Sequence, residues 1–177
     1  AVVTLALAAL LIRGGERVAL LGSGVPPSSG RSVLERFAVA LTAEDDDASS
    51  LPPVDSLPRH ARVVVIGDLL SPIAEIEEMV RGFAGLGVRG YLLQIADSAE
   101  ETLPFSGRVR FEGLEGEGAA LIGRVEAVRD DYVAVMENHK AAIGNLARSV
   151  GWSFASHRTD NPPQSALLAL YQALSEN

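Results

Sequence analysis

The sequence RVVVIGDLLSP at residues 62–72 decides the fold class of this chain. Its run of four β-branched residues is continuous rather than alternating, which is typical of a parallel strand covered on both faces. Asp68 follows the strand. Ser71 and Pro72 are expected to begin a helix, with Ser71 as the N-cap and Pro72 at the first helical position. The stretch therefore predicts a central parallel strand, a loop and a helix.

Strands and helices alternate on both sides of this stretch. Strands are predicted at residues 17–21, 62–66, 91–95 and 152–156, and helices at residues 1–13, 32–41, 72–84 and 125–150 and from residue 163 onward. This alternation predicts an α/β fold, a doubly wound and mostly parallel sheet with helices on both faces. A length of 177 residues fits a single domain over residues 1–177.

Residues 107–124 interrupt the alternation. Charged and apolar residues alternate before a glycine-rich turn region, and an apolar stretch follows it, so an inserted β-hairpin is predicted. Arg108, Arg110 and Glu112 are the candidate docking residues of this hairpin. Their charges either discourage aggregation at a solvated sheet edge or form a surface for a partner.

Composition and charge exclude several classes of protein. There are 15 basic and 23 acidic residues, so the net charge of −8 argues against a nucleic-acid partner. The absence of cysteine excludes thiolate zinc sites, iron–sulfur clusters and cysteine nucleophiles. Residues 1–12 are apolar but too few to cross a membrane, and no basic stretch precedes them. We expect a buried helix there rather than a trimmed export segment, no membrane insertion by this chain, and a cytoplasmic location.

Candidate ligand-binding residues are sought beyond the carboxyl ends of the strands, where such sheets bind ligands. Asp68 follows one predicted strand and Asp97 another, and Ser71 lies in the same loop as Asp68. Ser71 and Asp97 are candidate residues for docking a partner. Asp68 either holds Mg²⁺ or accepts hydrogen bonds from backbone N–H groups of its own loop. Asp160 is interpreted as the N-cap of the last helix, because Pro162 follows it.

The loop at residues 24–32 lies between a predicted strand and a predicted helix, as a phosphate-binding loop does. It has five residues between its glycines instead of four, Arg31 in place of lysine, and two prolines that lack the N–H donors a phosphate cradle needs. A rigid turn is therefore predicted. The sequence also has no Gly-x-Ser-x-Gly nucleophile motif, and its three histidines are far apart.

Several segments together resemble a bacterial family, the von Willebrand factor A-like group known as domain of unknown function fifty-eight. They are residues 10–22, 62–72 and 103–117, the pair Gly151-Trp152, residues 158–160 and 162–163, and the leucine-rich final helix. Each segment is weak alone, but their order and spacing cover nearly the whole chain. The resemblance implies a six-stranded, mostly parallel sheet with helices on both faces.

The resemblance also implies a divalent metal site. Related A domains hold the metal with Asp-x-Ser-x-Ser after the first strand, a threonine in a later loop and an aspartate after the fourth strand. Asp68 matches the last of these, and Ser28, Ser29 or Ser32 could replace the threonine. Asp-x-Ser-x-Ser does not occur in this sequence. We therefore expect an N-terminally truncated domain that lacks its first strand. We expect only a partial metal site at Asp68, with Mg²⁺ held only by the full-length protein. Unpaired strand edges are expected to form a homodimer.

Such proteins are typically encoded beside MoxR-type AAA+ ATPases. The resemblance therefore implies a non-enzymatic protein-interaction domain, an accessory partner of such an ATPase in the assembly or activation of other complexes. Two alternatives stay open. One is a Mg²⁺-dependent hydrolase that uses Asp68, since fold alone does not determine function. The other is a structural domain that assembles with itself.

Overall fold

The computed structural model describes residues 1–43, 50–58, 60–112 and 119–175. The helices are α1 (Val2–Arg13), α2 (Arg31–Thr42), α3 (Ile73–Gly85), α4 (Ser98–Thr102), α5 (Arg129–Ser149) and α6 (Pro163–Ser175), and a short 3₁₀ turn spans Val125–Ala127. The strands are β1 (Arg62–Gly67), β2 (Arg89–Ala96), β3 (Val109–Glu112), β4 (Ala119–Ile122) and β5 (Ser153–Arg158).

The main sheet has three parallel strands in the order β1-β2-β5. The predicted α/β class is confirmed at this level, because helices cover both faces of a parallel sheet. The described residues contribute three strands to this sheet rather than the six that the resemblance implies. The prediction that residues 62–66 form a central strand is wrong. In the sheet that the described residues form, β1 is an edge strand, and the central position belongs to β2.

Two apolar clusters hold helices against the two faces of the sheet. On one face, α3 and α5 pack against Val65 and Leu92, with Ile76, Phe83 and Ile143 fully buried. On the other face, α1 and α6 pack against neighbouring residues of the central strand. The buried residues of this second cluster are Leu7, Tyr91, Leu93, Ala166 and Leu170. The continuous apolar run of β2 is thus explained by burial of both its faces.

Residues 17–21 do not form the predicted strand. Only one isolated bridge exists there, in which Val18 and Ser28 exchange two backbone hydrogen bonds of 2.9 and 3.1 Å. Val18 and Leu20 pack against Val33 and Phe37 of α2. These apolar side chains therefore pack on a helix rather than within a sheet.

Within the range predicted as an inserted hairpin, residues 107–124, the structure has two antiparallel strands that form a sheet of their own. β3 and β4 pair antiparallel, with Arg110 opposite Leu121 and Phe111 opposite Ala120. Neither strand pairs with the main sheet among the described residues. The turn at residues 113–118 lies outside the described residues.

Two predicted helix starts differ from the structure, and one helix was not predicted. Ser71 is not an N-cap, because α3 begins at Ile73 and the residue before it is Pro72. The hydroxyl of Ser71 instead lies 3.0 Å from that of Ser50. The long helix begins at Arg129 rather than residue 125, because the 3₁₀ turn precedes it. Helix α4 was not predicted, and its five residues are too few to show a helical period.

Candidate functional site

The three parallel strands end at one edge of the sheet, as the sequence predicts. Asp68 follows β1, Asp97 follows β2, and Thr159 and Asp160 follow β5. Two of these loops touch: the hydroxyl of Thr159 donates to Asp97 Oδ2 at 3.1 Å. The carboxyl edge is therefore a continuous loop surface at least between β2 and β5.

Asp68 lies in a turn in which two carbonyl oxygens and one N–H group have side-chain partners. Its Oδ1 accepts from the N–H of Leu70 at 3.2 Å, and its carbonyl oxygen accepts from Gln94 Nε2 at 3.0 Å. The next carbonyl, that of Leu69, lies 2.7 Å from His139 Nε2. Asp68 and Leu70 are exposed, whereas the side chain of Leu69 is buried. The hydrogen bond from Leu70 is of the kind expected if Asp68 accepts from N–H groups of its own loop.

Asp97 has a structural role at the start of α4. Its Oδ1 accepts from the N–H of Ala99 at 2.8 Å, and Glu100 Oε2 accepts from the N–H of Asp97 at 3.2 Å, which is a capping box. Asp160 was predicted to cap α6. Its carboxylate instead accepts a hydrogen bond of 2.6 Å from the guanidinium of Arg158.

Two polar residues, Gln94 and Ser156, are in register on neighbouring strands beneath this edge. Gln94 of β2 is only 3% exposed and lies in register between Gly67 of β1 and Ser156 of β5. Gln94 Oε1 and Ser156 Oγ are buried and have no hydrogen-bond partner among the described residues. Gln94 was not among the site residues predicted from the sequence. The signal available was one polar residue inside the apolar run of residues 91–95.

No hydrogen bond links the predicted serine ligands to Asp68 among the described residues. Ser28 is paired with Val18 through the backbone, and its hydroxyl accepts from Arg36 at 2.9 Å. Ser29 is exposed in the same loop, and Ser32 is exposed in the first turn of α2. Across the described ranges there is no group of three or more His, Cys, Asp and Glu side chains that could hold a metal ion. Among the described residues, Asp68 is thus not part of a metal site built from three or more such side chains.

The hairpin is tied to the body of the domain at its base. Arg129 of α5 donates to the carbonyl oxygens of Leu103 at 2.9 Å and Phe105 at 2.6 Å. The N–H of Gly107 donates to Glu126 Oε2 at 2.8 Å. The pKa of Glu126 is lowered from its usual value by its own backbone N–H and by that of Gly107, with a smaller contribution from the charge of Arg129.

The hairpin exposes apolar and charged side chains together. Leu121 is 56% exposed, and Phe105, which makes an edge-to-face contact with Phe111 at 5.7 Å, is 41% exposed. Arg108 and Arg110, two predicted docking residues, are also exposed. The third, Glu112, ends β3, and its backbone is opposite Ala119.

Two clefts lie away from the carboxyl edge. One of about 160 Å³ is bounded by Val18, Val25 and Phe37, between the residue 18–28 loop and α2. The other, of about 190 Å³, lies at the amino-terminal edge of the sheet beside Arg62 and Arg89. Neither is lined by Asp68, Asp97 or the hairpin.

The fold and this edge define an α/β protein with a parallel sheet, a loop surface at its carboxyl edge and a separate hairpin. The family described as "Protein of unknown function DUF58" matches residues 1–142, and the chain belongs to this family.

Comparison with solved structures and curated proteins adds little. A solved chain described as "Crystal Structure of Uncharacterized Membrane Spanning Protein from Vibrio fischeri" is similar with 13% identity and a TM-score of 0.30. The match covers 91% of this chain and 62% of that chain, so the present chain spans less than two thirds of its length. No curated protein matches the sequence significantly. In the parts of the chain that the structure describes, we find no helix with the length and apolar character needed to cross a membrane.

Proposed function

We propose that this chain is a non-enzymatic protein-interaction domain that docks a partner with its hairpin and with the loops at the carboxyl edge of its sheet. The observation that carries the proposal is the hairpin. It forms its own sheet, and its base is fixed by Arg129 and Glu126, yet it leaves Leu121 more than half exposed. An anchored hairpin with exposed apolar side chains is a typical docking element, since binding removes that surface from water without ordering a mobile loop.

The charges near the hairpin suggest what it contacts. The chain as a whole is acidic, with a net charge of −8. Arg108, Arg110 and Arg124 are nevertheless exposed within the hairpin and at its ends. A partner surface that pairs an acidic residue with an apolar one would complement these side chains, and such charge complementarity increases the association rate and the specificity.

The partner that we propose is a MoxR-type AAA+ ATPase, with this chain as an accessory protein in the cytoplasm of a bacterium. The resemblance to von Willebrand factor A-like domains supports this part of the proposal, together with membership of the family. Asp68 beyond β1 fits that finer fold assignment. We propose docking that does not use a metal, since the described residues hold no group of three or more His, Cys, Asp and Glu side chains that includes Asp68.

The experiment compares two exposed leucines. Leu121 lies on the hairpin and Leu168 lies on α6, and their exposed fractions are 56% and 57%. A purified MoxR-type ATPase is titrated with the wild-type chain and with the variants Leu121→Ser and Leu168→Ser. We expect Leu121→Ser to weaken binding about tenfold, the loss of one well-placed apolar contact, while Leu168→Ser binds like the wild type. Equal loss in both variants, or no binding by the wild type, would contradict the proposal.

Self-assembly is a second candidate that one observation favours. Residues 63–67 of β1 make backbone hydrogen bonds only to β2 within the described residues, so their outer edge is unpaired. An unpaired edge is a template for another strand, including that of a second copy. Light scattering over a range of protein concentrations tests this candidate. A mass that rises to that of a dimer supports it, and a monomer mass at every concentration excludes it.

A further inference from the structure

The turn after β1 combines a strained backbone with an exposed tip. Leu69 has φ of +54°, in the left-handed region that bulky residues rarely adopt. Its side chain is 3% exposed and packs in the same cluster as Val65 and Ile143, whereas Asp68 and Leu70 on either side are exposed. The left-handed residue thus places the leucine in the core and turns its two neighbours outward.

Two side chains from different elements hold this turn. Gln94 of the central strand donates to the carbonyl oxygen of Asp68 at 3.0 Å, and His139 of α5 lies 2.7 Å from the carbonyl oxygen of Leu69. Since a carbonyl oxygen can only accept, His139 carries its hydrogen on Nε2. Both the neutral Nε2–H tautomer and the imidazolium can make this bond. Two consecutive carbonyls are therefore fixed by side chains that are distant in sequence.

Gln94 is buried among apolar residues although one end of its amide is unsatisfied. Its Nε2 donates to Asp68, but its buried Oε1 has no partner among the described residues. Burying an unpaired carbonyl oxygen is unfavourable, so an apolar residue would suit the folded core better at this position. Gln94 makes a hydrogen bond to the turn, and a leucine at this position could not make one.

We infer that Gln94 and His139 are positioning residues that hold the turn at residues 68–70 in one conformation, ready for docking. The inference rests on the proposed function and deepens it. The turn presents the Asp68 carboxylate beside the apolar side chain of Leu70, which is 46% exposed. This pair complements a partner segment that carries a basic residue next to an apolar one. The hairpin, with its exposed arginines, would contact a different and acidic part of the partner.

Amide exchange in the isolated chain tests the positioning role. The variants are Gln94→Leu, His139→Leu and the double variant, and the probes are the N–H of Leu70 in the turn and that of Val65 in β1. We expect each single variant to accelerate exchange at Leu70 about fivefold, the effect of one hydrogen bond, and the double variant to accelerate it further. Exchange at Val65 stays at the wild-type rate, because the sheet is not changed.

Two further variants serve as controls. Ser156→Ala removes the unpartnered hydroxyl in register with Gln94 and is expected to leave exchange at Leu70 unchanged. His139→Gln keeps an N–H donor and is expected to restore the slow exchange. Unchanged exchange at Leu70 in the double variant, or equal acceleration at Leu70 and Val65, would overturn the positioning role.

A binding measurement separates this inference from the proposed function. The double variant is titrated against the same purified ATPase, and we expect weaker binding, because the turn is no longer held for docking. Fast exchange at Leu70 with wild-type affinity would overturn the link between the turn and docking. If the wild-type chain does not bind the ATPase at all, the proposed function fails, whereas the exchange data still decide whether Gln94 and His139 hold the turn.

Discussion

The guanidinium of Arg129 donates to the carbonyl oxygen of Phe105 at 2.6 Å and so joins the long helix α5 to the base of the hairpin. The same side chain reaches the carbonyl oxygen of Leu103 at 2.9 Å, and Leu103 has φ of +43°. A single arginine thus holds the segment that leads from α4 to β3.

The first prediction concerns this arginine. Lysine keeps the charge but lacks the planar set of donors that reaches two carbonyls at once. We expect Arg129→Lys to accelerate amide exchange in residues 109–112 and 119–122 about tenfold and to leave β2 unchanged, because the hairpin opens locally. The matched control is Arg81→Lys, which alters an exposed pair with Glu77 on α3. Identical exchange profiles for the two variants would contradict the role of Arg129.

The second prediction concerns the pH dependence of the hairpin base. The pKa of Glu126 lies below its usual value of 4.5 because N–H groups donate to its carboxylate. A carboxyl group with a lowered pKa in the folded state stabilises that state above the unfolded pKa, and this contribution is lost as the pH falls through the folded pKa. We expect the Gly107 amide resonance to shift as the pH falls below 4.5.

The control for this titration is Glu126→Gln, which cannot lose a proton in that range. Its Gly107 resonance should not follow the same titration. An identical titration of Gly107 in wild type and Glu126→Gln would show that another carboxylate is responsible.

The third prediction concerns close packing at Gly90. A Cβ atom at this position of β2 would overlap the ring of Trp152, whose Nε1 donates to the carbonyl oxygen of Val88 at 3.0 Å. The ring is buried and cannot move without losing this bond and its contact with Phe83. We expect Gly90→Ala to lower the free energy of unfolding by about 2–3 kcal/mol.

Gly85 at the end of α3 is the matched glycine, because a Cβ there meets no atom within 4 Å. Gly85→Ala is expected to change the free energy of unfolding by less than about 1 kcal/mol, and in the stabilising direction. Denaturant titrations of both variants measure these values. Equal stability of the two variants would contradict the packing of Trp152 on β2.

The fourth prediction concerns the two aspartates of neighbouring loops. Asp97→Ala removes the N-cap of α4 and the acceptor of Thr159, and we expect a loss of about 1–2 kcal/mol in the free energy of unfolding. Asp160→Ala removes an exposed pair with Arg158, for which we expect a loss below about 1 kcal/mol. A larger loss for Asp160→Ala would reverse our assignment of structural roles.

Local patterns in the sequence predict the elements better than their arrangement. The β-branched run of β1 and the prolines before α3 and α6 act within a few residues, and these elements are found near the predicted positions. The edge position of β1 depends on which strands pair, and residue type at one position does not determine this. Residues 17–21 are predicted as a strand, but their apolar side chains Val18 and Leu20 pack on α2.

In the candidate site, too, local sequence predicts the position of a residue but not its distant contacts. Position alone predicts that Asp68 lies at the carboxyl edge, since the aspartate directly follows a buried strand. The side chains that hold its turn could not be found in this way. Gln94 and His139 contact residues that are 26 and 70 positions away, so only the folded chain brings them together.

The most direct test of the proposed docking is an amide-exchange comparison of this chain alone and in the presence of a purified MoxR-type ATPase. We expect the ATPase to slow amide exchange in two places. One is the hairpin with residues 105–112 and 119–123, and the other is the turn at residues 68–70, whereas exchange in α6 stays unchanged. No protection at saturating ATPase, or protection confined to α6, would contradict the claim that the hairpin and the carboxyl edge dock this partner.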